Sequence, residues 1–242
     1  IHFNIGDETY NAWEATVYFC DEIQEEGFRL ADNYADNFIV YNERSPENIW
    51  VIPLDKDLYK TQQQNLYRSY HYRHAAAYGF TGENGTCATL NTLSVFKYNT
   101  DEEDSRFSEN YWAGEVCDLD GNPVLDRLGQ PLVYYPYEVA MDLSGSPFVE
   151  TAGARMKKYQ VDKNATQGGC LMDNDIVLFR YADVLLMRAE AYLRNGQIDL
   201  GQEDINAIRD RAGMPRCQLT FENIYSERLL ELCWEGWRRQ DM

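Results

Sequence analysis

The sequence predicts a mostly α fold: tetratricopeptide-like helical hairpins with a large, irregular, loop-rich insertion that contains small β-hairpins. Two observations predict this class. Apolar residues follow a helical period near both ends of the chain, whereas the middle is rich in glycine, proline and tyrosine and lacks that period. We expect one domain over residues 1–242 with three segments: a helix and extended stretches at 8–52, the insertion at 53–175, and helices at 176–242.

The first segment begins with an amphipathic helix over residues 8–27, which Gly27 ends. One face of it carries apolar residues spaced four, three and three apart: Trp13, Val17, Cys20 and Ile23. The two runs that follow, 38–41 and 49–52, are rich in β-branched and aromatic residues, so we expect short strands or extended packing segments. We place both Trp13 and Trp50 in the core.

The insertion contains two turn signals within residues 119–135, each next to apolar residues. This pattern predicts a small hairpin or meander. The acidic run from Asp118 to Asn122 superficially resembles a calcium loop, but it lacks the glycine at position six and the glutamate at position twelve. A tight turn is the better interpretation.

The last segment predicts three helices. Residues 176–195 hold seven apolar positions between Phe179 and Leu193 at helical spacing, and Gly196 follows as a left-handed cap. The second helix, 199–212, buries four positions: Leu200, Ile205, Ile208 and Ala212. The third helix, 221–239, aligns six residues on one side: Phe221, Ile224, Leu229, Leu232, Cys233 and Gly236. The first two helices have the length of a tetratricopeptide hairpin, with small contact residues at Ala189 and Gly201.

The predicted helix 176–195 contains charged residues among its apolar ones, although we expect neighbouring helices to pack against several of its sides. Buried charges require partners, so we predict a structural ion-pair network rather than catalytic carboxylates, which remain the alternative. Its predicted members are Arg180, Asp183, Glu190, Arg209, Glu227 and Arg228. Arg211, Glu231 and Glu235 can supply further partners from neighbouring helices.

Composition makes several functions improbable. The chain has 40 acidic and 22 basic residues, a net charge of -18, which disfavours binding to nucleic acid or to an anionic membrane surface. Six cysteines show no zinc spacing. They are either disulfides, with 15 pairings among which the sequence cannot choose, or buried free thiols. His71 and His74 are three residues apart but lack a third ligand, so we predict neither a metal nor a cofactor.

Seven blocks follow one another along the chain: AWEATVYFCDEIQEEGFRLADNYADNF, SPENIWVI, GENGTCATLNTLSVFKYNTDEEDSRF, ARMKKYQ, RYADVLLMRAEAYLRNG, INAIRDRAGMP and ERLLELCWEGWRRQDM. In sequence and in order, these blocks resemble the SusD/RagB family of surface glycan-binding lipoproteins of Bacteroidetes. Family members are usually about twice this length and carry a lipid-modified cysteine near the N-terminus. The resemblance therefore implies an internal or C-terminal fragment, attached to the membrane only through a lipid anchor that this sequence does not contain.

The resemblance implies a non-enzymatic protein on the extracellular face of the outer membrane. It would capture oligosaccharides, or another nutrient, and deliver them to a SusC-like TonB-dependent transporter. Two other classes remain open: a helical-repeat scaffold that binds a protein partner, and a glycoside hydrolase with paired carboxylates.

We expect the ligand to bind in the tyrosine-rich insertion, because sugar rings pack their C–H faces on aromatic rings and hydrogen-bond to polar side chains. The predicted glycan-binding residues are Tyr70, Tyr72, Arg73, Tyr78, Asn84 and Trp112. The alternative is that these aromatic residues fill the core. Trp112 is the first choice among them, because the surrounding sequence SENYWAGE is polar.

Overall fold

The computed structural model describes residues 1–59 and 67–242, so residues 60–66 of the predicted insertion lie outside the described part. The helices are α1 (Ala12–Glu25), α2 (Tyr72–Ala77), α3 (Leu90–Val95), α4 (Phe107–Asn110), α5 (Tyr181–Arg194), α6 (Ile198–Arg211), α7 (Phe221–Glu231) and α8 (Arg238–Asp241). The strands are β1 (His2–Ile5), β2 (Glu8–Asn11), β3 (Asn48–Ile52), β4 (Tyr111–Trp112), β5 (Gly114–Glu115), β6 (Val133–Tyr134), β7 (Arg155–Met156) and β8 (Ile176–Arg180). The long elements are helices, which confirms the mostly α class.

Helices α5 and α6 form the antiparallel hairpin that the sequence predicts, and α1 and α7 pack against α5. Gly201 makes the hairpin tight, because a Cβ there would lie 3.0 Å from the carbonyl oxygen of Ala189. Any larger residue at position 201 would push the two helices apart. Across the α1–α5 contact, Cys20 Sγ donates to the carbonyl oxygen of Val184 (3.6 Å).

Helix α1 begins four residues later than predicted. Residues 8–11 form β2, which pairs with β1 in an antiparallel hairpin. Asn11 then caps the helix: its side chain accepts hydrogen bonds from the backbone N–H groups of Trp13 and Glu14, and the Glu14 carboxylate accepts from the Asn11 N–H. This reciprocal capping box fixes the start of the helix at Ala12.

The prediction of a helix from residue 176 is wrong for its first five residues. Residues 176–180 form β8, which pairs antiparallel with β3, with Val177 opposite Val51. Their sequence, IVLFR, is β-branched and aromatic, and it has a partner strand of the same kind. The backbone N–H of Tyr181 then donates to the carbonyl oxygen of Glu47 (2.8 Å), where the strand turns into α5.

Residues 38–41 form neither of the predicted extended structures. They lie in a turn between two short 3-10 helices, Tyr34–Asn37 and Asn42–Arg44. The Asn42 side chain holds this turn by donating to the carbonyl oxygens of Asn37 (2.7 Å) and Asp175 (3.0 Å). Side-chain amides that bond to nearby backbone carbonyls compete with strand pairing in this way.

The insertion is built from short pieces, as predicted. Strand β4 pairs with β7, and β5 pairs with β6. Single bridges from Cys117 to Pro123 and from Leu125 to Pro131 extend the second pair into a small meander. The Asp118 carboxylate accepts from the backbone N–H groups of Asp120 (2.9 Å) and Asn122 (2.8 Å), which is the predicted tight turn.

The predicted third helix, 221–239, ends at Glu231 instead. Trp234 has φ +64 and Gly236 has φ +87, values that an α-helix cannot accommodate. This break turns the side chain of Glu235 inward, where it bonds with Arg180 and Lys158. Several residues predicted to be buried are exposed in the structure: Trp13, Trp50, Leu200 and Phe221. Trp50 is 62% exposed and stacks on Phe179 across the β3–β8 pair.

All six cysteines are free thiols. Among the helices of the described residues, none combines the length and apolar character that a membrane crossing requires.

Candidate functional site: an aromatic cavity lined by lysines

A cavity of about 310 Å³ opens where the insertion meets residues 34–39, which are the first 3-10 helix and the start of the turn after it. Its lining comes from three stretches of the insertion and from these residues. The lining residues are Ala35, Ile39, Tyr70, Tyr78, Glu109, Trp112, Leu119, Lys157, Lys158, Tyr159, Gln160, Val161 and Lys163. The site is therefore assembled from distant parts of the sequence by the fold.

Aromatic rings form one wall of the cavity. Tyr70 is its most buried member, 1% exposed, and its hydroxyl accepts a hydrogen bond from Trp112 Nε1 (2.7 Å). Trp112 and Tyr78 are half-buried, with their ring centroids 6.2 Å apart and their planes at 61°. Burial raises the pKa of the Tyr70 phenol, so it remains a protonated hydrogen-bonding group at all physiological pH values. The wall therefore presents partly exposed ring surface to the cavity.

The β4–β7 pair positions Trp112, since it places this residue opposite Arg155. The chain continues from β7 to Lys157, whose N–H donates to the carbonyl oxygen of Asn110 (2.8 Å). As a result the Lys157 ammonium lies 4.8 Å from the centre of the Trp112 ring and donates to the carbonyl oxygen of Ser108 (2.6 Å). The cation and the indole are thus held together at the cavity.

His74 supports the aromatic wall from behind. Its ring stacks on Tyr70 with centroids 4.7 Å apart, and its Nδ1 lies 3.0 Å from the hydroxyl of Tyr134. Burial, together with the nearby His71, lowers the pKa of His74 to about 3. The imidazole is neutral at pH 7. Within residues 1–59 and 67–242, no group of three or more His, Cys, Asp or Glu side chains is arranged to hold a metal ion.

The structure brings together three of the six predicted glycan-binding residues. Tyr70, Tyr78 and Trp112 line the cavity. Tyr72 and Arg73 are exposed in the first turn of α2 and do not line it. Asn84 also lies outside the lining; its backbone N–H donates to the carbonyl oxygen of Tyr70 (2.9 Å).

The prediction missed the polar residues of the cavity, above all Lys157, Lys163 and Gln160. The stretch KKYQVDK, residues 157–163, could have drawn attention to them, because it contains three of the chain's six lysines. Gln160 is oriented by the backbone N–H of Val40, which donates to its side-chain oxygen (2.9 Å).

Behind the cavity lies a buried set of ion pairs, here called the charged cluster. Its members are Glu47, Asp104, Arg106, Lys158, Arg180, Arg211, Glu227, Glu231 and Glu235. Arg180 is at its centre and donates to Glu47 (2.6 Å) and Glu235 (2.8 Å) as well as to Glu231. Burial tends to raise the pKa of Glu231, but Arg211, Arg180 and Arg106 together hold it well below its ordinary value. Lys158 belongs to both the cluster and the cavity, so the two are physically joined.

The other predicted network members occupy different positions. Arg209 bonds to Glu227 at the edge of the cluster (2.7 Å). Asp183 forms a separate buried pair with Arg228 (2.7 Å). Glu190 lies outside both, in an i,i+4 pair with Arg194 at the surface (2.7 Å).

We expect Asp183→Ala to lower the free energy of unfolding by ~1–2 kcal/mol, as for a lost buried hydrogen-bonded group. The cost is limited because burial raises the pKa of Asp183, and because Arg228 keeps Asp241 as a second partner (2.7 Å). Glu190→Ala is the matched control, expected to cost only ~0.3–0.5 kcal/mol as an exposed helix pair. Urea unfolding followed by circular dichroism measures both; equal losses would contradict the assignment of Asp183 to a buried pair.

Comparison with known proteins places this geometry in a family context. A family model described as the SusD family matches residues 46–242. The SusD-like protein P38 of Formosa agariphila is 38% identical over 84 residues, which cover 29% of this chain and 17% of that protein. The starch-binding protein SusD of Bacteroides thetaiotaomicron is 36% identical over 90 residues, which cover 36% of this chain and 16% of that protein.

Solved structures agree in fold. Surface glycan-binding protein A from Bacteroides thetaiotaomicron superposes with a TM-score of 0.69 at 20% identity, over 95% of this chain and 49% of that one. A second structure of that protein, in complex with laminarihexaose, gives a TM-score of 0.69 at 19% identity with the same coverage. The chain thus spans about half the length of these structures, and the matched stretches are less than a fifth of the curated relatives.

Proposed function

This chain belongs to the SusD family, and on that premise we propose that it is part of a non-enzymatic surface protein that captures oligosaccharides in the aromatic cavity. The observation that carries the proposal is the pair of half-buried rings, Trp112 and Tyr78, at the cavity wall. Their exposed surface can pack against the C–H faces of a sugar, while Gln160 and the lysines bond to its hydroxyl groups. The solved relative that holds laminarihexaose supports an oligosaccharide as the cargo.

Binding without catalysis is supported by the number of carboxyl groups at the cavity. Hydrolysis of a glycosidic bond uses two carboxyl groups on either side of it. Among the described residues, Glu109 is the one carboxylate that lines the cavity. A reducing-end assay on a panel of polysaccharides tests this directly, and release of new ends by the purified protein would overturn the non-enzymatic proposal.

We expect Trp112→Ala to weaken oligosaccharide binding by ~1–3 kcal/mol, the scale of a lost buried aromatic face. Affinity electrophoresis in gels that contain candidate polysaccharides measures the change. The indole also bonds to Tyr70, so binding must be measured well below the melting temperature of the variant. Trp50→Ala is the matched control, because Trp50 is an exposed tryptophan on β3 that does not line the cavity. Undiminished binding by folded Trp112→Ala would place the site elsewhere.

The proposed partner is a SusC-like TonB-dependent transporter of the outer membrane, which would receive the captured oligosaccharide. The proposal rests on family membership. The corresponding full-length protein, expressed in a Bacteroidetes host, should accumulate at the cell surface and co-purify with such a transporter. Recovery from the periplasm, or purification without a transporter, would contradict this location and this partner.

A further inference from the structure

The lysines of this chain are concentrated at the cavity. The sequence contains only six lysines, and three of them, Lys157, Lys158 and Lys163, line this one site. The chain as a whole carries a net charge of -18. Three ammonium groups are therefore concentrated at one site of a strongly acidic protein. A lysine whose charge is already compensated by a carboxylate of the protein has a structural role, whereas an uncompensated one can bind an anionic ligand.

Lys158 has such a role. It is buried, and its ammonium bonds to the Glu235 carboxylate (2.8 Å) within the charged cluster. Its side chain also lies over the ring of Phe38, with Nζ 4.2 Å from the centre. The charge of Lys158 is thus compensated inside the protein, and it contributes little to the field in the cavity.

Lys157 and Lys163 are not compensated in this way. Across residues 1–59 and 67–242, no carboxylate lies within ion-pair distance of either ammonium group. Residues 60–66, which lie outside the described part of the chain, have the sequence KTQQQNL and include no acidic residue that could pair with them. Lys157 contacts a neutral carbonyl oxygen and the Trp112 ring, and Lys163 is exposed. Glu109 is the single acidic residue that lines the cavity among those described.

Two uncompensated cations beside aromatic rings form a recognition pattern for a ligand that is both sugar-like and anionic. The rings suit the apolar face of a pyranose. The ammonium groups suit a carboxylate or sulfate, since hydrogen bonds between ionised groups are stronger than neutral ones. A neutral oligosaccharide would use the rings but would offer the two ammonium groups only hydroxyl groups, with no opposite charge.

We propose that the cavity selects acidic oligosaccharides, whose sugars carry carboxylate or sulfate groups, through Lys157 and Lys163. The proposal rests on the proposed function and specifies its substrate class. Lys157 lies beside Trp112, so it would bind the anionic group of the sugar ring that packs on this indole. Lys163, on the same lining, would bind the anionic group of another sugar of the same oligosaccharide. No bond is made or broken, because the ligand is bound and released unchanged.

The test is an array of hexasaccharides bound by the purified protein. Its acidic arm holds oligogalacturonate, oligoguluronate and sulfated carrageenan fragments, which separates carboxylate from sulfate. Its neutral arm holds laminarihexaose, cellohexaose and the methyl ester of the same oligogalacturonate. We expect an acidic member to bind at least tenfold more tightly than any neutral one, and to lose affinity as NaCl rises from 50 to 500 mM because salt screens charges.

The double variant Lys157→Gln/Lys163→Gln should bind the preferred acidic hexasaccharide on the order of tenfold more weakly, as expected for two charge-assisted contacts. Lys97→Gln is the matched control, because Lys97 pairs with Glu102 at the surface and does not line the cavity. Binding of neutral members alone, or equal binding of both arms, would overturn the acidic preference and leave oligosaccharide capture intact. Binding of no member would overturn the proposed function and the preference with it.

Discussion

Replacing Arg180 with methionine is expected to lower the free energy of unfolding by about 3–5 kcal/mol, which is the cost of removing one partner from a buried ion pair. Arg180 is 1% exposed and donates to Glu47, Glu231 and Glu235, and to the carbonyl oxygen of Glu231 (2.6 Å). Methionine fills similar volume but leaves these carboxylates short of positive charge in a site that water does not reach. Urea unfolding at pH 7, followed by far-UV circular dichroism, measures the loss.

Arg216→Met is the matched control for this prediction. It makes the same chemical change in an exposed pair with Asp210, where a few tenths of a kcal/mol are expected. If Arg180→Met does not fold, Arg180→Lys keeps the charge but lacks the planar fork of a guanidinium, and should give an intermediate loss. A wild-type unfolding curve for Arg180→Met would show that the charged cluster contributes nothing to stability.

Acid is expected to destabilise the protein strongly through His74. In the unfolded chain a histidine takes up a proton near pH 6.5, whereas in the native state burial and His71 lower the pKa of His74 to about 3. Between these values the unfolded state binds more protons, so native stability falls as the pH falls. At 1.36 kcal/mol per pH unit, the contribution lost is about 2 kcal/mol by pH 5 and about 4 kcal/mol by pH 3, where the native histidine is itself half protonated.

The variant His74→Phe isolates this contribution. It keeps a ring against Tyr70 but has no group that titrates, so its stability should fall less steeply between pH 6.5 and 4 than that of the wild type. Protonation of Glu231 and Glu235, whose pKa values are held low, also destabilises the native state in acid. This contribution is the same in the wild type and in His74→Phe, so it cancels when their pH profiles are subtracted. His2→Phe, at an exposed residue of β1, is the control. Parallel pH profiles for wild type and His74→Phe would contradict the prediction.

The sequence predicts what depends on local patterns and misses what depends on distant pairing. Helical periods located α1, α5 and α6 to within a few residues, and turn residues located the meander at 119–135. Strand β8 was missed because its identity depends on pairing with β3, more than a hundred residues earlier. The end of α7 at Glu231 was missed for the same reason, because it is coupled to a distant contact, the ion pair between Glu235 and Arg180.

The cavity follows the same rule. Aromatic density drew attention to Tyr70, Tyr78 and Trp112, and the fold brings Trp112 to the same cavity as the two tyrosines although it lies more than thirty positions later. It also drew in Tyr72 and Arg73, which are sequence neighbours of Tyr70 but lie in the exposed first turn of α2. Local composition cannot separate such neighbours, because which side of a short helix faces the cavity is decided by the tertiary fold. Lys157 was missed because its place over Trp112 depends on the β4–β7 pairing.

The charged cluster also joins residues that the ribosome adds many seconds apart. Arg106 bonds to Glu231, a residue 125 positions later, and Arg180 bonds to Glu235, 55 positions later. A ribosome that adds 5–20 residues per second needs roughly 6–25 s to travel from Arg106 to Glu231. Throughout that interval the cation exists without this carboxylate, and the long loop between them must still close. A nascent chain halted before Glu231 is therefore expected to remain protease-sensitive, and protection should appear only once Glu235 has emerged from the ribosome.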